Sequence, residues 1–269
     1  MNESEFFLSL QEPSFLYGGT VYETLRSYEG RILAGKYHYE RLEKSASYIG
    51  CKVPISYEEF KDILNEAVEK LGQDISIRVL LLPKGKISAF EYSPESSELI
   101  VYASVLNLKK IDKVTVKISK VRKIDPSATP ADFKSTGRTD ILLAKASKGN
   151  AYDVLMLGSK GQLCEGTFTN VFIVKDSKVI TPDLESGILP GITRKNVIQM
   201  CKEYGIPIEE RQVELSELFA ADEVFLTHTS RGIVPVDEID GWRAYKTSFG
   251  KQLSELFETY IKKVEENWL

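Results

Sequence analysis

In "ADFKSTGRTDILLAKASKGN", Ala131 to Asn150, Lys134 stands directly ahead of Ser135, Thr136 and Gly137. Only the neutral amine of a lysine attacks a carbonyl carbon, so a chemically active lysine needs a dry pocket or a neighbouring cation. Arg138, four residues on, supplies such a cation if a helix starts early in this segment. By itself the segment reads more simply as a solvated charge. A second group lies downstream. "CEGTFTNVFIV" puts Glu165 inside an apolar strand region, where a carboxylate is costly without a cationic or protonated partner. "GILPGITRKNVIQM" places Gly191, Ile192 and Thr193 at a helix start, an arrangement that suits either an anion site or an ordinary threonine cap. "LTHTSRG" offers the hydroxyls of Thr229 and Ser230 at a strand end, for a phosphate or for a plain turn. Arg41, in "HYERL", suits a bidentate phosphate contact or a surface ion pair with Glu40 or Glu43.

The elements that would hold these residues fall into two halves. "GTVYETLRSYEGRILAG" reads as a β-hairpin about a Glu29-Gly30 turn, and "KYHYERLEKSASYIG" as a helix closed by Gly50. A second helix follows, with Ser56 as cap and Glu59 completing a capping box, and then the strands "ISIRVLLLP" and "SELIVYASVL". The charged stretch 107–113, poor in apolar residues, reads as a linker between a small domain, 1–106, and a larger one, 114–269. The larger half alternates strands with helices and ends in a helix carrying Phe249, Leu253, Leu256, Tyr260 and Val264 on one face. The expected class is α+β.

With 269 residues, 42% of them apolar and 28% charged, the chain can bury a substantial core. A net charge of −4 argues against a sequence-independent nucleic-acid surface and for a small-molecule partner. No stretch approaches the roughly 18 apolar residues of a membrane span, and the start of the chain lacks a basic, then apolar, leader pattern. Cys51, Cys164 and Cys201 are odd in number and have no metal-like spacing, which suits a reducing, cytoplasmic setting.

A lysine for a Schiff base, an acid for a pyridinium nitrogen, and a helix start, hydroxyls and an arginine for a phosphate together are what pyridoxal 5'-phosphate requires of a protein. The chain also resembles the class IV aminotransferases, the fold type IV pyridoxal-phosphate enzymes, along nearly its whole length. The resemblance runs through "FLYGGTVYETLRSYEGR", "HYERLEKSA", "FKSTGRTDILLAKA", "EGTFTNVF", "GILPGITR" and "ADEVFLTHTSRGIVPV". It implies a small α/β domain and a larger mixed domain with the cofactor between them, and a homodimer. Lys134 would carry the cofactor and shuttle the proton, and Glu165 would pair with the ring nitrogen. Arg41, the amides of Ile192 and Thr193, and the Thr229 hydroxyl would hold the phosphate. Tyr22, Glu23, Arg138 and Ser230 would line the substrate side. The implied reaction moves an amino group between an amino acid, branched-chain among the candidates, and a 2-oxo acid. The alternative is an aminodeoxychorismate lyase that releases pyruvate, since Lys134-x-x-Gly-Arg138 is similar to a motif of some of those lyases. The strand "RVLLLPKGKISAFE" lacks the Arg-x-His pair of D-amino-acid aminotransferases, with Lys84 or Lys86 as substitutes.

Overall fold

The Glu29-Gly30 turn closes a hairpin between β1 (Val21–Tyr28) and β2 (Arg31–Ile32), with Tyr28 opposite Arg31. Both turn residues have positive φ, 52° and 84°, the twist that a two-residue connection between antiparallel strands requires. The structure is a computed structural model that describes residues 7–9, 12–72, 74–111, 113–241, 243–264 and 268. A short helix, α1 (Pro13–Tyr17), precedes the hairpin, and helices α2 (Gly35–Tyr48) and α3 (Tyr57–Leu71) follow it. The start of α3 carries the expected reciprocal cap between Ser56 and Glu59. Two long strands, β3 (Ile75–Ile87) and β4 (Tyr92–Val105), complete an antiparallel sheet in the order β2-β1-β3-β4.

Alternation along this sheet decides what reaches the site. Ile75, Ile77, Val79 and Leu81 of β3 are fully buried against Leu42 of α2 and Phe60 and Leu64 of α3. Their neighbours, including Arg78, face the other way, as do Tyr22 and Thr24 of β1.

The second sheet begins at β5 (Thr115–Ile118) and takes in β6 (Asp153–Leu157), β7 (Leu163–Gly166), β8 (Asn170–Lys175) and β9 (Lys178–Thr181). Beyond α5 (Ile192–Glu203) it adds β10 (Ile208–Glu210), and beyond α6 (Leu215–Ala220) the antiparallel pair β11 (Glu223–His228) and β12 (Gly232–Val236). Strand β11 also pairs with β8. One face packs Phe172, Phe225 and Ile233 against α5 and the last helix, α7 (Ser248–Lys263). The opposite face builds a second core from Leu155, Val171, Val224 and Leu226. All five apolar residues expected on one face of α7 pack on this core, Leu253 and Tyr260 buried and Phe249, Leu256 and Val264 partly so, with Phe257 and Ile261 buried beside them. The mixed α and β architecture agrees with the expected class.

Between the sheets, the chain around Lys134 is pinned by its backbone. The Lys134 carbonyl accepts from the Tyr22 amide at 3.0 Å, its own amide donates to Ser45 Oγ at 3.2 Å, and the Thr136 amide donates to the Thr20 carbonyl at 2.9 Å. Gly137 makes this close approach possible, because a Cβ there would lie 2.6 Å from the Gly18 carbonyl oxygen. Helix α4 (Thr139–Ala146) starts only after the turn, so Arg138 is its cap residue and is not one helical turn from the lysine.

Candidate active site

All the candidate residues except Glu23 line a single cavity of about 360 Å³ between the two sheets. The Lys134 ammonium lies 4.5 Å from the centre of the Tyr22 ring, held there by the β1 contacts of its backbone. Arg138 lines the same cavity, but its guanidinium is bound to Asp140, Nε to Oδ1 at 2.9 Å and Nη2 to Oδ2 at 2.6 Å. Burial would raise the Asp140 carboxyl, but the Arg138 contact together with backbone hydrogen bonds from Ile124 and Ile141 lowers it overall. The arginine's charge is therefore matched by Asp140, and the expectation that it acts as a free cation on Lys134 is corrected.

Glu165, on β7, has the cationic partner its burial demands. Lys123, itself buried, pairs with Oε1, while Oε2 accepts from Asn170 Nδ2 at 3.0 Å and from the Leu189 amide at 2.9 Å. An ionised carboxylate offers about four acceptor positions, so these three donors leave room for one more on a residue that lines the cavity. Nothing in the spacing of "SKVRKID" distinguishes Lys123, because its partner lies 42 residues away.

Glu23 is placed differently from expectation. Adjacent strand residues point to opposite faces, so with Tyr22 in the cavity Glu23 turns toward α2 and is fully buried there. Its carboxylate takes both Nε and Nη2 of Arg41 at 2.7 Å and lies 2.7 Å from His38 Nδ1. Arg41 thus pairs with neither Glu40 nor Glu43, and its Nη1 donates to the Pro190 carbonyl at 3.0 Å. Three of its five N–H groups are accounted for by these contacts, which leaves two for the cavity it lines. Burial lowers the His38 imidazole against the opposing pull of Glu23, and because a carboxylate only accepts, Nδ1 is the donor of their contact.

Burial alone would raise the Glu23 carboxyl; the charge and hydrogen bonds of Arg41, helped by His38, hold it at about 2 against an ordinary 4.5. A carboxyl depressed on folding stabilises the native state above its unfolded value and loses that contribution as pH falls through its folded value. Wild type should therefore lose stability between pH 4.5 and about 2 in an acid-unfolding series followed by circular dichroism. Glu23→Gln should start less stable at neutral pH and lack that segment of the acid profile. An unchanged profile in the variant would remove Glu23 from the acid response.

At the far end of the cavity, α5 starts on Gly191, which provides no side-chain cap. A Cβ at that position would lie 1.9 Å from Asn170 Oδ1, so the bare backbone is a packing requirement. The amides of the first turn, with Thr193 and the nearby Thr229 and Ser230, form a polar end suited to an anion. Thr193 is not the ordinary helix cap that the sequence also allowed.

Several cavity residues carry no sequence signal. Arg78, on the outward face of β3, is the cation of that strand that reaches the cavity, with its guanidinium 5.1 Å from the Tyr22 ring centre. Lys84 is instead engaged by Glu12 and Glu98. Phe168 packs edge-on to His228, whose Nε2 lies 2.6 Å from the Tyr152 hydroxyl. Burial, aided by Arg231 and Arg26, presses the His228 imidazole down to about 4, so this ring is uncharged at neutral pH. The loop bearing Phe168 is gathered by the buried Asp153, which accepts from Thr167 Oγ1 at 2.6 Å and Thr169 Oγ1 at 2.8 Å.

Residues 20–239, which hold every one of these side chains from Tyr22 to Ser230, match the family model described as Amino-transferase class IV. The chain belongs to the class IV aminotransferase family. A probable branched-chain-amino-acid aminotransferase of Thermotoga maritima is 44% identical over 255 residues, 93% of this chain and 89% of that protein. The crystal structure of a branched-chain aminotransferase from Thermoproteus uzoniensis with norvaline superposes with a TM-score of 0.92 at 29% identity, over 100% of this chain and 95% of that one. A T.th. branched-chain amino acid aminotransferase with pyridoxamine 5'-phosphate gives 0.91 at 25% identity, again over 100% and 95%. These relationships favour amino transfer over the lyase alternative.

The family's cofactor is pyridoxal 5'-phosphate, and this class IV aminotransferase has residues that fit it. An acid with an open acceptor position, a lysine and an uncapped helix start all line one cavity. The bare Gly191 backbone leaves the approach to that helix start clear.

Proposed function

We propose that this aminotransferase acts on branched-chain amino acids, passing their amino group to a 2-oxo acid. The observation that carries the reading is the meeting of Lys134, Glu165 and the uncapped start of α5 in one cavity whose remaining walls include Phe133, Ile141 and Phe168. When bound, pyridoxal phosphate supplies an electron sink for the bond broken at the substrate α-carbon. Lys134 holds the cofactor through its amine and then moves the proton to and from that carbon. Glu165 keeps the ring nitrogen protonated, and its own charge is steadied by Lys123. Arg41, the amides of Ile192 and Thr193, and the Thr229 hydroxyl bind the phosphate. Tyr22, Arg138 and Ser230 line the substrate end, where Phe133, Ile141 and Phe168 offer apolar surface to an aliphatic side chain.

The proposed domains run from 1 to 106 and from 114 to 269, with 107–113 as linker and the cofactor between them. The exposed Phe15, Leu16 and Tyr17 of α1, with Phe90 at the β3–β4 turn, supply apolar surface for a homodimer. Three free thiols suit the reducing cytoplasm.

Arg41→Ala should weaken cofactor retention by roughly one to two orders of magnitude, through loss of a charge-assisted contact. Thr229→Val should weaken it less, because one neutral hydroxyl goes and the charge stays. Dialysis that strips cofactor equally from wild type and both variants would place the phosphate elsewhere. The activity itself is tested by an amino-donor screen with 2-oxoglutarate as acceptor. Leucine, isoleucine and valine should yield glutamate. Turnover confined to D-alanine, or pyruvate release from aminodeoxychorismate without amino transfer, would overturn the reading.

A further inference from the structure

Thr227 is almost wholly buried, it lines the cavity, and its Oγ1 has no hydrogen-bond partner. Buried hydroxyls are nearly always paired, so an orphan in a cavity wall marks a place where a ligand completes the bonding. The direction of this hydroxyl follows from register. Thr227 stands opposite Asn170 in the β8–β11 pair, and residues opposite one another in an antiparallel pair share a face. Phe225, two residues earlier and hence on the same face, packs in the cluster that contains Ile192 and Val197 of α5. The hydroxyl therefore lies on the side of β11 covered by α5, whose first turn opens into the same cavity. The side chain of Asn170 is already committed to Glu165 and to the Leu189 carbonyl, which leaves Thr227 as the unused donor of the pair.

We infer that Thr227 is a further phosphate ligand of the cofactor, its hydroxyl donating from the strand beneath the helix start while Thr193 and Thr229 donate from the rim. The inference rests on the proposed cofactor site. It differs from the assignment of Thr229 in that Thr227 lies within a strand and is paired through its backbone on both sides, so its side chain can be changed without moving the loop.

The test uses Thr227→Val, which keeps the shape and removes the hydroxyl, and Thr227→Ser, which restores it. Dissociation constants are measured by absorbance titration of cofactor-free protein with pyridoxal phosphate and, separately, with pyridoxal, which lacks the phosphate. The valine variant should bind pyridoxal phosphate about tenfold more weakly, the size of one hydrogen bond to an anion, and pyridoxal as well as wild type does. The serine variant should recover most of the loss. Without cofactor, the valine variant should melt no lower than wild type, since the lost hydroxyl had no partner, and the increase in Tm on adding pyridoxal phosphate should be smaller. Equal affinity of wild type and the valine variant for pyridoxal phosphate would overturn the inference. So would equal weakening toward both ligands, which would place the hydroxyl at the ring or in the fold. Failure of wild type itself to bind pyridoxal phosphate would instead overturn the cofactor site, and this inference with it.

Discussion

Lys134→Ala is expected to lose at least roughly four orders of magnitude in turnover, because it removes both the covalent anchor and the group that moves the proton. The fold should survive. The links from Lys134 to Tyr22 and Ser45 are made by backbone atoms that alanine retains, and the close approach of Gly137 to Gly18 is untouched. Melting temperature and far-ultraviolet circular dichroism should match wild type while single-turnover amino transfer vanishes. A variant that keeps a substantial fraction of turnover would show that Lys134 is a solvated cation beside Tyr22 and nothing more.

Glu165→Gln should lower turnover by roughly two to three orders of magnitude, in the range found for loss of a single preorganised electrostatic contact. It has a second consequence that comes from Lys123. Removing the charge of one partner leaves the other buried without compensation, a change that typically costs about 3–5 kcal/mol. The single variant should therefore be both slow and markedly less stable. Adding Lys123→Met to it removes the stranded charge, so stability should return and turnover should not. If turnover returned together with stability, Glu165 would be a structural strand residue. Thermal melts and donor kinetics on the two variants and wild type separate these outcomes.

What the sequence makes legible is local. The hairpin turn, the Ser56-Glu59 cap and the strands of the small sheet each rest on residues within a few positions of one another, where backbone preference and alternation act directly. The short helix α6 escapes a reading by pattern because its cap is Glu214 answered by Glu217, and not one of the small polar residues that usually mark a helix start. Most of the candidate side chains can be read because they sit in short motifs. The placement of Glu23 is also within reach of the sequence, since period-two alternation alone forbids Tyr22 and Glu23 from facing the same cavity. Arg138 is misplaced by an early start to α4, whereas the Gly18–Gly137 contact holds the preceding turn open. Lys123 and Arg78 are illegible for another reason. Each reaches the site through pairing between distant segments, and the demand of a buried carboxylate for a cation says that a partner exists without saying which.

Lys123 also provides the most direct test of the account, because it is a buried lysine paired to the acid that lines the cavity, whereas Lys134 is only partly buried. Protein loaded with pyridoxal phosphate, reduced with borohydride, digested and mapped by mass spectrometry should carry the pyridoxyl group on Lys134. Finding it on Lys123, or on any other lysine, would contradict the assignment of Lys134 and the reading of the cavity built around it.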